Sequence, residues 1–268
     1  MFRRILIDMS PISNFIRKQT YGRYENKLEK ELKRNRIPNH VAIIMDGNRR
    51  YAEETMKADA NQGHLKGKEK LEEVLEWCRD LGVKILTVYA FSTENFSRKE
   101  DEVSFLMNLL EKTLFEFADD ERIHEKRIRL KVIGDMDTMP EKVAEAIRHA
   151  EEKTSGYSDF FLNMAVAYSG RQEIKDAVKS IARKVRSGEL NIDDIDETTV
   201  SGHMYSPGLL DPDLVLRTSG ELRLSNFMLW QLAYSELYFS DIYWPGFRKL
   251  DFLRAIRSFQ QRSRRFGQ

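Results

Sequence analysis

Val41-Ala42-Ile43-Ile44-Met45-Asp46-Gly47-Asn48-Arg49-Arg50 is the stretch on which the reading of this chain turns. A short apolar, β-branched run of this kind fits a buried strand. It ends in one carboxylate, a glycine, an amide and two guanidinium groups. The carboxylate can hold a divalent metal, the glycine lets backbone N–H groups close on an anion, and two arginines can grip phosphate oxygens in a fork. Strand-Asp-Gly is also an ordinary turn, so the weight of the reading rests on the remainder of the chain.

Apolar, β-branched runs recur at 84–90, 128–133, 160–167 and 213–217, with a shorter one at 237–239. Amphipathic stretches lie between them at about 66–81, 101–125, 140–155, 170–187 and 248–262. Strands alternating with helices predict one α/β domain with a mostly parallel sheet of about six strands covered by helices. Ligands of such sheets bind beyond the carboxyl ends of the strands. Asp46 follows the first run, Ser92-Thr93-Glu94-Asn95 the second, and Arg217-Thr218-Ser219-Gly220 the fifth. Ser92 to Asn95 could equally cap a helix. Arg217, Arg223 and Ser225 form a second basic cluster, and two separate clusters suggest two phosphorylated ligands. The stretch 101–117 carries more apolar residues than one helix face needs; ordinary core packing is the default reading, and an apolar tunnel lined by part of it is the alternative.

The 268 residues are 41% hydrophobic and 32% charged, enough for a real core under a charged surface. A net charge of +1 gives no global attraction to nucleic acid, which is not expected as a partner. The single cysteine, Cys78, excludes a disulfide framework and suits a cytoplasmic setting. No apolar run approaches the ~20 residues that span a bilayer. Residues 12–36 mix apolar and basic positions and read as an amphipathic helix packed on the body, or else on a membrane surface as a peripheral contact.

Five segments together resemble the cis-prenyltransferases, the undecaprenyl diphosphate synthase family: His40–Arg50, Tyr89–Phe96, Val166–Arg171, Leu216–Glu221 and Trp230–Phe239. The double arginine resembles archaeal and actinobacterial members more than the common Gly-Arg-Trp bacterial form, and the chain looks like an archaeal-type member. The resemblance implies an N-terminal helical segment at 1–37 and a catalytic domain at 38–268. It implies a Mg2+-dependent enzyme that condenses isopentenyl diphosphate with an allylic prenyl diphosphate to a Z-polyprenyl diphosphate. Transfer to another acceptor, such as a hydroxyl, or a noncatalytic partner subunit are the alternatives.

By the same resemblance, Asp46 and Asn95 are catalytic, with Asn95 assisting proton removal, and Asp46 and Glu236 hold the metal. Gly47, Asn48, Arg49, Arg50, Tyr51 and His64 cradle the allylic diphosphate, and Ser92, Thr93, Glu94, Phe96 and Arg98 close over it. Arg217, Arg223 and Ser225 clamp isopentenyl diphosphate. Arg265 and Gly267 reach the partner's site in a homodimer. Family members usually carry an arginine shortly before Gly63-His64, where this chain has Ala58-Asp59-Ala60-Asn61-Gln62. A charge-assisted hydrogen bond is worth about 1.5–3 kcal/mol, so its loss should weaken the diphosphate grip unless Lys57 or Lys66 substitutes, and Asp59 should repel the ligand further. A longer apolar tail would offset that, at roughly 0.8 kcal/mol per buried CH2. Longer allylic diphosphates are therefore expected to outcompete the C5 donor.

Overall fold

The computed structural model of the chain describes residues 11–262. The elements run α1 (Pro11–Leu32), β1 (His40–Ile44), α2 (Asn48–Arg50), α3 (Ala60–Leu81), β2 (Ile85–Ser92), α4 (Glu100–Asp119), α5 (Glu121–Glu125) and β3 (Ile128–Ile133). They continue as α6 (Glu141–Thr154), β4 (Phe160–Tyr168), α7 (Gly170–Ser187), α8 (Glu197–Ser201), β5 (Leu214–Arg217), β6 (Glu236–Phe239) and α9 (Lys249–Gln261). The expected stretch 101–125 is two helices: Asp120 leaves helical geometry and its carboxylate caps Arg122 N–H at 2.8 Å.

All six strands pair in parallel, in the order β3-β4-β2-β1-β5-β6. Every residue of β1 is buried, and so are eight of the nine in β4, as central strands covered on both faces require. Edge strand β3 instead alternates buried and exposed residues over its first four positions. After β4 the chain crosses to the far side of β1 to lay down β5, so strand order reverses at β1. The crevice at the carboxyl ends there is the ligand site such sheets provide. A register irregularity between Tyr89 and Ser92 bends the end of β2 at the same edge.

Helix α1 contributes Leu28 and Leu32 to the core that holds Val41, Val88 and Phe252. It is tied to α9 by Lys249–Glu29 at 2.9 Å and by Gln260 Nε2 donating to Leu32 O at 3.0 Å. Among the described residues no helix is long and apolar enough to cross a membrane.

A polar chain crosses the sheet beneath the site. His40 Nε2 lies 2.7 Å from Thr87 Oγ1, which accepts Asn163 Nδ2 at 3.1 Å, and His40 Nδ1 lies 2.6 Å from Leu210 O. Burial lowers His40 to about 4, so the folded state holds it neutral. Stability from this group is present above the unfolded value near 6.5 and is lost as pH falls toward 4. Between pH 8 and pH 5 the parent should lose about 2 kcal/mol through this residue. Urea unfolding at the two pH values, for parent and His40→Asn, measures it. An identical pH dependence in both proteins would refute it.

Candidate active site

Asp46 sits two residues beyond the buried end of β1 and is gripped by its backbone as well as its side chain. Thr218 Oγ1 accepts Asp46 N–H at 3.0 Å and donates to Asp46 O at 2.7 Å, while Trp244 N–H reaches Asp46 O at 3.0 Å. Gly47 turns the chain with φ 103°, and a Cβ there would lie 2.7 Å from the Tyr243 ring. Tyr243 in turn stacks under Arg50, 5.4 Å from guanidinium carbon to ring centre.

The carboxylate stands between two guanidinium groups, Arg217 at 2.8 Å and Arg50 at 3.2 Å. Burial pushes its pKa up, but the Arg217 hydrogen bond and charge, with Ser219 and Arg50, pull it net below the usual carboxylate range. Arg217 is 3% exposed and its Nε has no partner among the described residues. Its other end donates to Ser225 Oγ at 2.8 Å and to Arg223 O. The two basic clusters that are remote in sequence are thus joined through Asp46. Arg50 also donates to Ser219 Oγ at 2.8 Å and pairs with Glu221 at 3.3 Å, and Glu221 also takes Arg223.

A cavity of about 320 Å³ opens beside Asp46, lined by Gly47, Asn48, Arg49, Arg50, His64 and Arg98, with Met45 and Glu53. Two of its arginines and its histidine converge on one acid that sequence reading missed. Glu102 on α4 meets Arg98 at 2.9 Å, Arg49 at 3.4 Å and His64 at 3.4 Å. Its i+4 spacing from Arg98 was the one available signal. Burial and the Arg98 charge lower the His64 pKa, outweighing Glu102, so the imidazole is neutral at pH 7. Glycines bring α3 against this wall. A Cβ on Gly63 would lie 2.0 Å from Asn48 O, and one on Gly67 2.4 Å from Asn48 Oδ1. Trp244 Nε1 donates to Gly67 O at 2.9 Å.

The same wall continues into an apolar cavity of about 110 Å³ between α3 and α4, which shares Met45, Asn48 and His64 with the cationic one and adds Leu71, Phe91, Leu106 and Leu110. Through Lys68, Leu71, Thr113 and Met164 it meets a third, of about 600 Å³, further along the two helices. Lys68 on α3 and Glu116 on α4 pair where these two cavities meet. Of the apolar excess at 101–117, Met107 and Leu114 lie in the core with Val103 and Phe115 packed against it, while Leu106, Leu109 and Leu110 also line the smaller apolar cavity.

At the end of β2, Ser92 N–H donates to Asn95 Oδ1 at 3.0 Å in a capping box, which caps the 3-10 turn Thr93–Ser97 and not α4. Thr93 Oγ1 lies 3.4 Å from Glu94 Oε2, and Glu94 accepts Asn226 Nδ2 at 3.3 Å. Phe96 packs edge-on against Phe91, with centroids 4.8 Å apart. Tyr51 opens a π-helical turn, Tyr51–Met56, and its ring faces Gly246.

Two expectations need correction. Glu236 does not join Asp46 within the chain. It opens β6 in register with Leu214 at the amino end of the sheet, whereas Asp46 follows the carboxyl end, and Arg262 holds it at 2.8 Å. Asp59 is exposed and caps α3 through Asn61 N–H at 2.9 Å, so the acid that lines the cradle besides Asp46 is Glu53 instead. Neither candidate replacement lines that cavity either: Lys66 pairs with Glu69 at 2.7 Å, and Lys57 closes the π-helical turn. Arg265 and Gly267 lie outside the described residues.

Cationic loops at the carboxyl ends of a parallel sheet thus stand beside apolar cavities between α3 and α4. Residues 44–267 match the model of the family described as putative undecaprenyl diphosphate synthase, and the chain belongs to that family. It is similar to the tritrans,polycis-undecaprenyl-diphosphate synthase (geranylgeranyl-diphosphate specific) of Methanocaldococcus jannaschii, 54% identical over 91% of this chain and 88% of that one. The protein of the same description from Picrophilus torridus is 51% identical over 97% of this chain and all of its own length. Among solved structures, lavandulyl diphosphate synthase from Lavandula x intermedia, in complex with dimethylallyl diphosphate, superposes with a TM-score of 0.81 at 38% identity, over 87% of this chain and 99% of its own. A probable undecaprenyl diphosphate synthase from Campylobacter jejuni gives 0.70 at 35%, over 87% and 100%. The chain is therefore a transferase of prenyl groups, of the cis-prenyl diphosphate synthase type.

Because Glu102 raises the His64 pKa against burial and Arg98, Glu102→Gln should lower it further. An NMR titration of the imidazole checks this, and a rise in the variant would contradict the electrostatics of the cradle.

Proposed function

We propose that the enzyme condenses isopentenyl diphosphate with a long allylic diphosphate, geranylgeranyl diphosphate by preference, to give a Z-polyprenyl diphosphate. The observation that carries this is the wall of Met45, Asn48 and His64 that the cationic cavity at Asp46 shares with the apolar cavity between α3 and α4. A diphosphate in the first would direct its tail into the second. The preference for a C20 donor draws support from relatives described as geranylgeranyl-diphosphate specific. It also fits a cradle in which none of Ala58–Gln62 supplies a cation and Glu53 adds an acid.

In this reading Gly47–Arg50, His64 and Arg98 hold the allylic diphosphate, and their positive charge stabilises it as it departs. Neutral His64 can donate one hydrogen bond to it without adding charge. Arg217, Arg223 and Ser225 hold isopentenyl diphosphate so that its double bond attacks the allylic carbon. Asn95, at the end of β2, assists the proton loss that completes the reaction. Residues Ser92 to Arg98 close over the reacting ends, and Tyr51 and Phe96 flank them.

The donor set also fits Mg2+. Among the described residues no three His, Cys, Asp or Glu side chains gather as a metal cage. Mg2+ instead uses one or two carboxylates and completes its shell with substrate phosphates and water. Asp46, ionised well into acid, would be that carboxylate. The metal would neutralise charge building on the leaving diphosphate. The proposal includes a homodimer, on the resemblance of Arg265-Phe266-Gly267 alone.

Labelled isopentenyl diphosphate supplied with C5, C10, C15 or C20 allylic donors tests the reaction. Elongated Z products with kcat/KM at least ten-fold higher for C20 than for C5 are expected. A maximum at C5 would refute the donor assignment, and prenylated hydroxyl acceptors in place of elongated chains would refute the reaction. Asp46→Asn keeps an acceptor for Arg217 but removes the charge. It should lower kcat by 100-fold or more, and lower Tm as well because the buried Arg217 loses its counter-ion, with the variant still folded at the assay temperature by circular dichroism. Turnover within a few-fold of the parent in saturating Mg2+ would remove Asp46 from the mechanism.

A further inference from the structure

Three residues within four, Ser225 (φ 47°), Asn226 (φ 63°) and Met228 (φ 44°), hold left-handed backbone with no glycine among them. Such a run persists only where the surroundings over-determine it. Below it, Phe227 is fully buried and stacks on Tyr89 with centroids 4.7 Å apart, and Met228 is fully buried too. Above it, Asn226 uses nearly all its polar atoms on neighbouring segments. Its carbonyl accepts Gly170 N–H at 2.8 Å and its Oδ1 accepts Arg171 N–H at 2.9 Å, both at the start of α7. Its Nδ2 donates to Ser169 Oγ at 2.7 Å and to Glu94 Oε1 at 3.3 Å. Asparagine is also the non-glycine residue that tolerates this backbone best.

We propose that Asn226 is a positioning residue for the second diphosphate clamp, pinning the loop that carries Arg223 and Ser225 to α7 on one side and to Glu94 on the other. The inference rests on the assignment of Arg217, Arg223 and Ser225 to isopentenyl diphosphate. Ser225 leans on this pin: its hydroxyl takes Arg217 at 2.8 Å, and its backbone is the first of the left-handed run. The link to Glu94 couples the clamp to the loop at the end of β2, so the two halves of the site keep a fixed spacing.

Calorimetric binding of isopentenyl diphosphate in Mg2+ buffer tests this on four proteins beside the parent. Asn226→Gly keeps the left-handed backbone and removes the side chain. Asn226→Asp keeps the acceptor for Arg171 but loses the donor and faces Glu94 with like charge, which guards against misfolding of the glycine variant. Each should bind about ten-fold more weakly, with Tm within a few degrees of the parent and a smaller rise in the allylic KM, which only the Glu94 link reaches. Ser169→Ala should weaken binding about three-fold, and should add nothing in the Asn226→Gly background, because the same bond is already gone. Parent-like binding by both Asn226 variants, additive losses in the double variant, or a fall in Tm with binding unchanged would overturn the inference. A parent that fails to bind isopentenyl diphosphate would overturn the clamp assignment itself and this inference with it.

Discussion

The ion pair between Asp46 and Arg217, at 2.8 Å, is the contact around which the rest of the site is arranged. It joins the ends of two neighbouring strands, β1 and β5, whose register sets Ile44 opposite Arg217. A slip of one residue in β5 would turn Arg217 to the other face of the sheet, leaving a guanidinium that is 3% exposed without its counter-ion. Breaking such a pair on one side is far costlier than its net worth. The pair therefore fixes strand register and site geometry at once. Thr218, one residue on, adds two hydrogen bonds to the Asp46 backbone and stiffens the same junction.

Carboxylates space the cations of this site as much as they neutralise them. Glu102 gathers Arg49, His64 and Arg98, and Glu221 stands between Arg50 and Arg223. Without these acids, three or four positive side chains beside one cavity would repel one another and spread. Held this way they face a common space before any anion arrives, and little reorganisation is left for binding.

How much of this was legible in the sequence depends on whether the controlling contacts are local. The strands at 128–133 and 160–167 were plain, because burial on one or both faces leaves a periodic or continuous apolar trace. The break at Asp120 was hidden, since a capping aspartate inside a long amphipathic stretch leaves the period intact. Asp46, the arginines and the apolar excess in α4 could be read as chemistry. Their joining could not: the Asp46–Arg217 pair spans 171 residues and exists only because β5 returns beside β1. Glu236 misled for the same reason, since nothing local tells which end of a four-residue strand faces the site. Asp59 misled because a helix cap and a site acid look alike until the helix start is seen.

The way α3 and α4 are fastened gives the channel an uneven stiffness. Near the reacting atoms α3 is pressed against Asn48 at Gly63 and Gly67 and bonded to Trp244, contacts with no slack in them. Further along, the two helices are bridged over the channel by Lys68 and Glu116, whose side chains are 26% and 46% exposed. A partly exposed ion pair gives way at little cost, whereas close-packed backbone does not. The bore can therefore widen at its far end while the cradle stays fixed. A chain that grows in steps would push its own tail into the yielding part and leave the geometry at its head unchanged from one addition to the next.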